Sequence, residues 1–182
     1  MKIFITRPIP DIGIQLLRDK GYEVLINEAA RDRAADKSEI LKGVKGADAL
    51  LCTLTEKIDS EIMDAGLPTL KMIANYAVGF DNIDVEAARQ RNIMVANTPG
   101  VLTDTVAEHT FALMLAISHR IAEADKFIRA GKYNAWGPTL LLGDDMTGKT
   151  LGVVGLGRIG SRVAGHAVKG FDMKVLYNDI KP

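Results

Sequence analysis

Along the first half of the chain, short runs of β-branched and other apolar residues alternate with segments whose apolar positions recur at helical spacing. Strands are predicted at residues 2–6, 23–26, 49–53, 72–75 and 93–96, with helices near 37–44, 60–64 and 85–91 between them. A further helix opens at Pro10 and Asp11, carries Ile14, Leu16 and Leu17 on its apolar side, and ends at Gly21. Alternation of this kind builds a parallel sheet with helices on both faces. The fold class is therefore α/β, and this first layer reads as flavodoxin-like.

The pattern breaks at Asn97-Thr98-Pro99-Gly100, where Pro99 lacks a donor and biases Thr98 toward extended geometry while Gly100 frees the backbone. A domain crossing is placed there, giving a first domain over 1–98 and a second over 99–182. Beyond it, Thr105-Val106-Ala107-Glu108 matches a capping box, and Ala107, Phe111, Met114, Ile117, Ile121, Ala124 and Ile128 recur at three- and four-residue steps. One long amphipathic helix closed by Gly131 is predicted, followed by a loop or arm from Trp136-Gly137-Pro138 to Gly148.

The second domain carries the most specific chemistry. An apolar run at 151–154 leads into Gly155-Leu156-Gly157-Arg158-Ile159-Gly160, then a helix-like stretch, an apolar run at 173–177, and Asp179, 19 residues past Gly160. Strand, glycine turn, helix, second strand and acid in that order describe a dinucleotide-binding βαβ unit. Gly155 permits the tight turn, Gly157 lets the backbone approach a pyrophosphate, and Gly160 lets helix and strand pack closely. The amides around Leu156, Arg158 and Ile159, at the positive end of the helix dipole, face the phosphates. Asp179, with Asn178 as the alternative, is placed to accept hydrogen bonds from an adenosine ribose, and the Asp179 charge repels the extra phosphate of NADP. NAD is the expected cofactor, with NADP as the alternative because Lys181 offsets part of that repulsion.

Composition narrows the partners. The 23 basic and 23 acidic residues cancel, and no long block of one sign suggests nucleic acid or an anionic membrane surface. A small-molecule partner is expected. The only cysteine, Cys52, allows no internal disulfide and reads as a buried core residue rather than a catalytic thiol. The N-terminus lacks the long apolar region of a signal peptide, and the apolar stretch 111–117 falls far short of the about 20 residues a membrane span needs. A cytoplasmic protein is expected, and no metal site is assigned. Residues 143–150 match the phosphate-loop pattern GxxxxGK[ST], which raises a nucleotide triphosphatase. Context opposes it, since a strand rather than a helix follows and Asp144 and Asp145 would sit inside an anion cradle.

Several segments together carry a family resemblance. Asn75-Tyr76-Ala77-Val78-Gly79-Phe80-Asp81-Asn82-Ile83-Asp84, Asn97 to Asp104, Trp136-Gly137-Pro138 and Gly148 to Gly152 before the glycine turn resemble the D-isomer-specific 2-hydroxyacid dehydrogenases. The likeness is greatest to the glyoxylate and hydroxypyruvate reductases and spans essentially the whole chain. It implies NAD(P)H-dependent reduction of a small 2-keto acid such as glyoxylate or hydroxypyruvate to the D-2-hydroxy acid. In that family the first domain binds substrate, the second binds the nicotinamide cofactor, and the active site lies in the cleft between them. Open α/β sheets bind ligands beyond the carboxyl ends of their strands, where 77–79 falls, and successive N–H groups there make an anion nest. The resemblance assigns the substrate carboxylate to Val78 and Gly79. Leu54 and Thr55, at the end of a neighbouring strand, would line the same pocket, and Thr105 is implied to touch the cofactor.

The family reduces its substrate with a histidine, an assisting glutamate and an arginine that lie in the second half of the cofactor domain, and none of these is found here. His109, His119 and His166 fall on helices and receive no catalytic role. Arg158 is read as serving phosphate or solvent. The expectation is an N-terminal portion of a longer enzyme: a flavodoxin-like substrate domain plus the first βαβ unit of a Rossmann NAD-binding domain, truncated. Alone it is expected to be poorly stable or to associate, without turnover. The resemblance implies that the parent is a homodimer formed through the long helix and the arm around Trp136. The alternative to an enzyme is a non-catalytic NAD-binding interaction module.

Overall fold

The computed structural model describes residues 1–180, so Lys181 lies outside the described residues. The chain divides into two compact units between Pro99 and Gly100. In the first, the order is β1 (Lys2–Ile5), α1 (Asp11–Asp19), β2 (Glu23–Ile26), a single 3-10 turn (Glu28–Ala30), α2 (Lys37–Gly43), β3 (Ala49–Cys52), α3 (Ser60–Gly66), β4 (Met72–Asn75), α4 (Val85–Gln90) and β5 (Met94–Ala96). The five strands are all parallel in the order β2-β1-β3-β4-β5. That is the flavodoxin-like doubly wound order.

Side chains alternate across the strands, so one sheet feeds two cores. Phe4 joins Leu50, Ile73, Ile40, Val44, Ile62 and Met63 on one side, while Ile3 and Ile5 join Ile14 and Ala49 on the other. Leu50 and Ile73 are fully buried, each contributing about 1.5–3 kcal/mol relative to exposure. Helix starts are sealed locally: Asp59 accepts from the Ile62 N–H and Asp84 from the Ala87 N–H, at 3.3 and 2.8 Å. Asp36 and Glu39 form a reciprocal capping box at α2. Arg33, the Asp36 N–H and Asn27 together pull the Glu39 carboxyl down to about 2.

The second unit contains α5 (Thr103–Ser118), α6 (Ile121–Arg129), β6 (Thr150–Val154), α7 (Arg158–Phe171) and β7 (Lys174–Asn178). Strands β6 and β7 are parallel, with Thr150 opposite Lys174 and Val154 opposite Asn178. Helices α5 and α7 pack through Ala107, Phe111, Val163 and Ala167, joined by Met146 and Met173. Phe111 stacks on Phe171 at 5.3 Å. Apolar surface also faces solvent here: Val154 is 90% exposed and Leu176 67%.

Two expectations are corrected in this unit. The long helix is two helices, because Arg120 takes a left-handed conformation at φ 54° between α5 and α6. The Ser118 carbonyl, which a continuous helix would offer to residue 122, instead accepts from the Asp144 N–H at 2.8 Å. Gly143 permits that approach, since a Cβ there would stand 2.2 Å from the same oxygen. The apolar stripe is also interrupted: Ala107 and Phe111 are buried, whereas Ile117 is 78% exposed and Ile121 and Ile128 are exposed too. The capping box at Thr105 is likewise absent. Helix α5 begins three residues earlier, with Leu102 at the cap position, leaving Thr105 in its first turn.

Candidate functional site

Cys52 pairs with Asn75 in the register of β3 and β4, which sets the turns leaving these strands side by side. Leu54 and Thr55 are exposed on the first turn, and Val78 and Gly79 lie half-buried and exposed on the second. Beneath the first turn is a buried carboxylate. Glu56 accepts from the Thr53 N–H and hydroxyl, both at 2.7 Å, from the Thr55 hydroxyl at 2.9 Å and from the Thr6 hydroxyl at 3.1 Å. Four donors offset the cost of burying that charge and hold the Thr53–Thr55 backbone in one shape. Asn82 ties the two turns together, donating to the carbonyls of Thr53 and Glu56 at 3.1 and 3.0 Å and receiving Asn75 Nδ2 at 2.9 Å. The Cys52 thiol lies within this layer. Burial, then the nearby Glu56 charge, pushes it up to about 12, so it stays protonated and is no nucleophile.

In the second unit the glycine turn joins β6 to α7. Gly155 has φ +90°, a conformation that glycine adopts at no steric cost. A Cβ on Gly160 would lie 2.1 Å from the Gly155 carbonyl oxygen, so helix and turn come this close only because Gly160 lacks a side chain. Gly157 differs: its φ of −69° suits any residue, and a Cβ there would meet nothing within 4 Å. The fold does not require this glycine. Next to this open position the first N–H groups of α7 lack intrahelical partners, an arrangement by which helix ends receive anions. Asp179, directly after β7, turns its carboxylate onto the same turn and accepts from the Leu156 N–H at 2.5 Å. Asn178 contributes only its carbonyl there, to the Gly155 N–H at 2.8 Å. Arg158 and Ile159 open α7, the former exposed. Arg162 of α7 pairs with Asp104 at 2.5 Å, joining the second turn of α7 to the turn of α5 that carries the exposed Thr105.

The phosphate-loop match is explained otherwise. Lys149 pairs with Asp144 at 3.3 Å, and the segment runs into β6 instead of a helix. His109 is exposed on α5 and His119 follows that helix. His166 packs edge-on against Phe111 at 5.8 Å. Sequence reasoning did not single out Asn75, Asn82, Asn97, Thr98 or Glu56 as functional. The available signal is positional: Thr6, Asn27, Thr53 and Asn97 directly follow β1, β2, β3 and β5, and Asn75 ends β4.

A family profile for the D-isomer specific 2-hydroxyacid dehydrogenase catalytic domain matches residues 3–177. The chain belongs to this family. It is 48% identical over 181 residues to a glyoxylate reductase of Thermofilum pendens, covering 99% of this chain and 52% of that protein. A glyoxylate reductase of Thermococcus litoralis is also 48% identical, with 97% of this chain and 53% of that protein covered. This dehydrogenase-family chain thus spans about half the length of the curated relatives it matches. Among solved structures, the TT0316 protein of Thermus thermophilus superposes with a TM-score of 0.93 at 45% identity, over 100% of this chain and 57% of that one. The D-lactate dehydrogenase of Aquifex aeolicus, solved with NAD and lactic acid, gives 0.81 at 29% identity, over 100% of this chain and 52% of that one. No helix among the described residues is long and apolar enough to cross a membrane.

Proposed function

We propose that this chain supplies the substrate-carboxylate and dinucleotide-binding parts of an NAD(H)-dependent reductase that converts glyoxylate or hydroxypyruvate to the D-2-hydroxy acid. The observation that carries this reading is Gly157, a glycine with neither a conformational nor an internal packing reason, at the open end of a helix that Asp179 faces. Gly155, Leu156, Gly157, Arg158, Ile159 and Gly160 hold the pyrophosphate of the dinucleotide, Thr105 contacts it, and Asp179 takes the adenosine ribose. When bound, the cofactor supplies hydride for the α-carbon of the keto acid. The N–H groups of Val78 and Gly79 orient the substrate carboxylate, and Leu54 and Thr55 wall the pocket. Residues 1–98 form the substrate domain and 99–182 the start of the cofactor domain.

His109, His119 and His166 take no part as proton donors in this reading. The enzyme is cytoplasmic and homodimeric, pairing through the exposed Ile117, Ile121 and Trp136. Titration of NADH and NADPH against the chain and Asp179→Ala, followed by nicotinamide fluorescence, tests the cofactor assignment. The wild type is expected to prefer NADH, and the substitution to narrow the preference. A strong wild-type preference for NADPH overturns the role of Asp179, and binding of neither overturns the dinucleotide site. NADH binding without any binding of a 2-keto acid would support a non-catalytic module instead.

A further inference from the structure

The turn after β4 is held from behind at three successive carbonyls. Ala77 O accepts from the Thr98 N–H at 2.9 Å and the Thr98 hydroxyl at 3.0 Å. Val78 O accepts from Asn97 Nδ2 at 2.7 Å, and Gly79 O from Asn75 Nδ2 at 2.8 Å. In a trans peptide the carbonyl of one residue and the N–H of the next point in opposite directions. Pinning these three oxygens therefore turns the N–H groups of Val78, Gly79 and Phe80 to the opposite side. Among the described residues none accepts a hydrogen bond from those three groups.

The two asparagine amides cannot be exchanged end for end. Asn75 is 2% exposed, and its Oδ1 already receives Cys52 Sγ and Asn82 Nδ2, both at 3.4 Å. Reversing either amide would set oxygen against a carbonyl oxygen, a repulsion that is buried at Asn75 and half-buried at Asn97. We propose that Asn75 and Asn97 are positioning residues for the substrate carboxylate: the Asn97 amide draws back the Val78 carbonyl and aims the Gly79 N–H of the 78–79 site at the ligand, and the Asn75 amide draws back the Gly79 carbonyl and adds the Phe80 N–H to that site. Neither side chain touches the substrate. The proposal rests on the reading of 78–79 as the carboxylate site, and the test separates the two.

Oxamate, an isostere of a small 2-keto acid that keeps its carboxylate charged at acid pH, serves as the probe. Hydrogen–deuterium exchange of peptides covering 76–84 is followed in the 182-residue chain with and without oxamate. The wild type is expected to show slowed exchange at 78–80 at pH 7 and pH 4. Asn97→Ala removes one donor, and the oxamate concentration for half-protection is expected to rise about tenfold at both pH values. Asn97→Asp places a charged oxygen against Val78 O and is expected to lose protection further at pH 7. It is expected to regain protection as the pH falls through about 4, where the introduced carboxyl is protonated and donates again. Asn75→Asp is expected to repeat that pattern with a lower melting temperature. Thr69→Val, which removes a comparable bond to Gly66 O away from the turn, is the control expected to match wild type.

Absence of oxamate protection in the wild type overturns the carboxylate site itself. Wild-type protection that Asn97→Asp retains at pH 7, or loses equally at both pH values, overturns the positioning role while leaving the site standing.

Discussion

The three glycines of the turn before α7 should respond to the same substitution in three different ways. Gly157→Ala adds a methyl that meets nothing within 4 Å, at an unstrained φ of −69°. Two small terms oppose each other there. Reduced freedom of the unfolded chain stabilises by about 0.4–1 kcal/mol, and loss of a favourable helix-capping residue costs a similar amount. The net effect on stability is expected to be under about 1 kcal/mol. Gly160→Ala would instead set a Cβ 2.1 Å from the Gly155 carbonyl oxygen, a backbone atom that cannot rotate away. Overpacking of this kind costs about 2–3 kcal/mol, which for a domain of this size lowers the melting temperature by at least about 8 °C. Gly155→Ala at φ +90° is expected to fall between them, at about 1–2 kcal/mol. Thermal melting of the three variants gives the stability order, and NADH titration gives function. Gly157→Ala is expected to melt like wild type yet lose more than about tenfold in NADH affinity, because its methyl occupies the space left for pyrophosphate. Wild-type NADH affinity in Gly157→Ala would refute a place for pyrophosphate at this glycine, and a melting temperature as low as that of Gly160→Ala would refute the open space at its Cβ.

Other consequences can be checked separately. Gly143→Ala brings a Cβ 2.2 Å from Ser118 O and is expected to release the arm around Trp136. Limited proteolysis should then cut residues 132–145 faster, and unchanged cleavage would deny the packing argument. Glu39 has its folded pKa lowered to about 2 from 4.5, so its contribution to stability is present above about pH 4.5 and is lost as pH falls toward 2. The melting-temperature gap between wild type and Glu39→Gln is therefore expected to close over that interval, and a gap that persists at pH 2 contradicts the sign. Cys52, buried and pushed up to about 12, should resist thiol reagents at pH 8 until the chain unfolds, whereas rapid labelling of the native protein would refute that burial.

The strands and most helices were legible because their signals are local. Alternating apolar runs bounded by turn residues place β1 to β5 within a residue of the observed ends, and the glycine turn declares its own helix. Helix α5 escaped the same logic. Ile117 and Ile121 keep a four-residue step across the break, so periodicity runs straight through Arg120, and the competing donor arrives from Asp144, far along the chain. The Thr105 capping box failed for a related reason. Its pattern was present, yet α5 had already begun after Leu102, while Asp36 and Glu39 carried the same pattern unremarked and do form the box.

The proposed carboxylate turn shows most plainly where local reading stops. The family resemblance points to Val78 and Gly79 but not to the groups that orient their peptides, because Asn97 and Val78 are 19 residues apart. Strand register is what joins them: Ala74 pairs with Ala96, so the residues leaving β5 necessarily lie beside those leaving β4. Once the parallel order of the sheet is known, the hydrogen-bonding residues just past β5 become the first place to look for whatever holds the turn past β4. Asn97 and Thr98 occupy those positions and bind the Val78 and Ala77 carbonyls. In a parallel sheet a binding turn is thus shaped by its lateral neighbour, and topology must be established before such residues can be assigned.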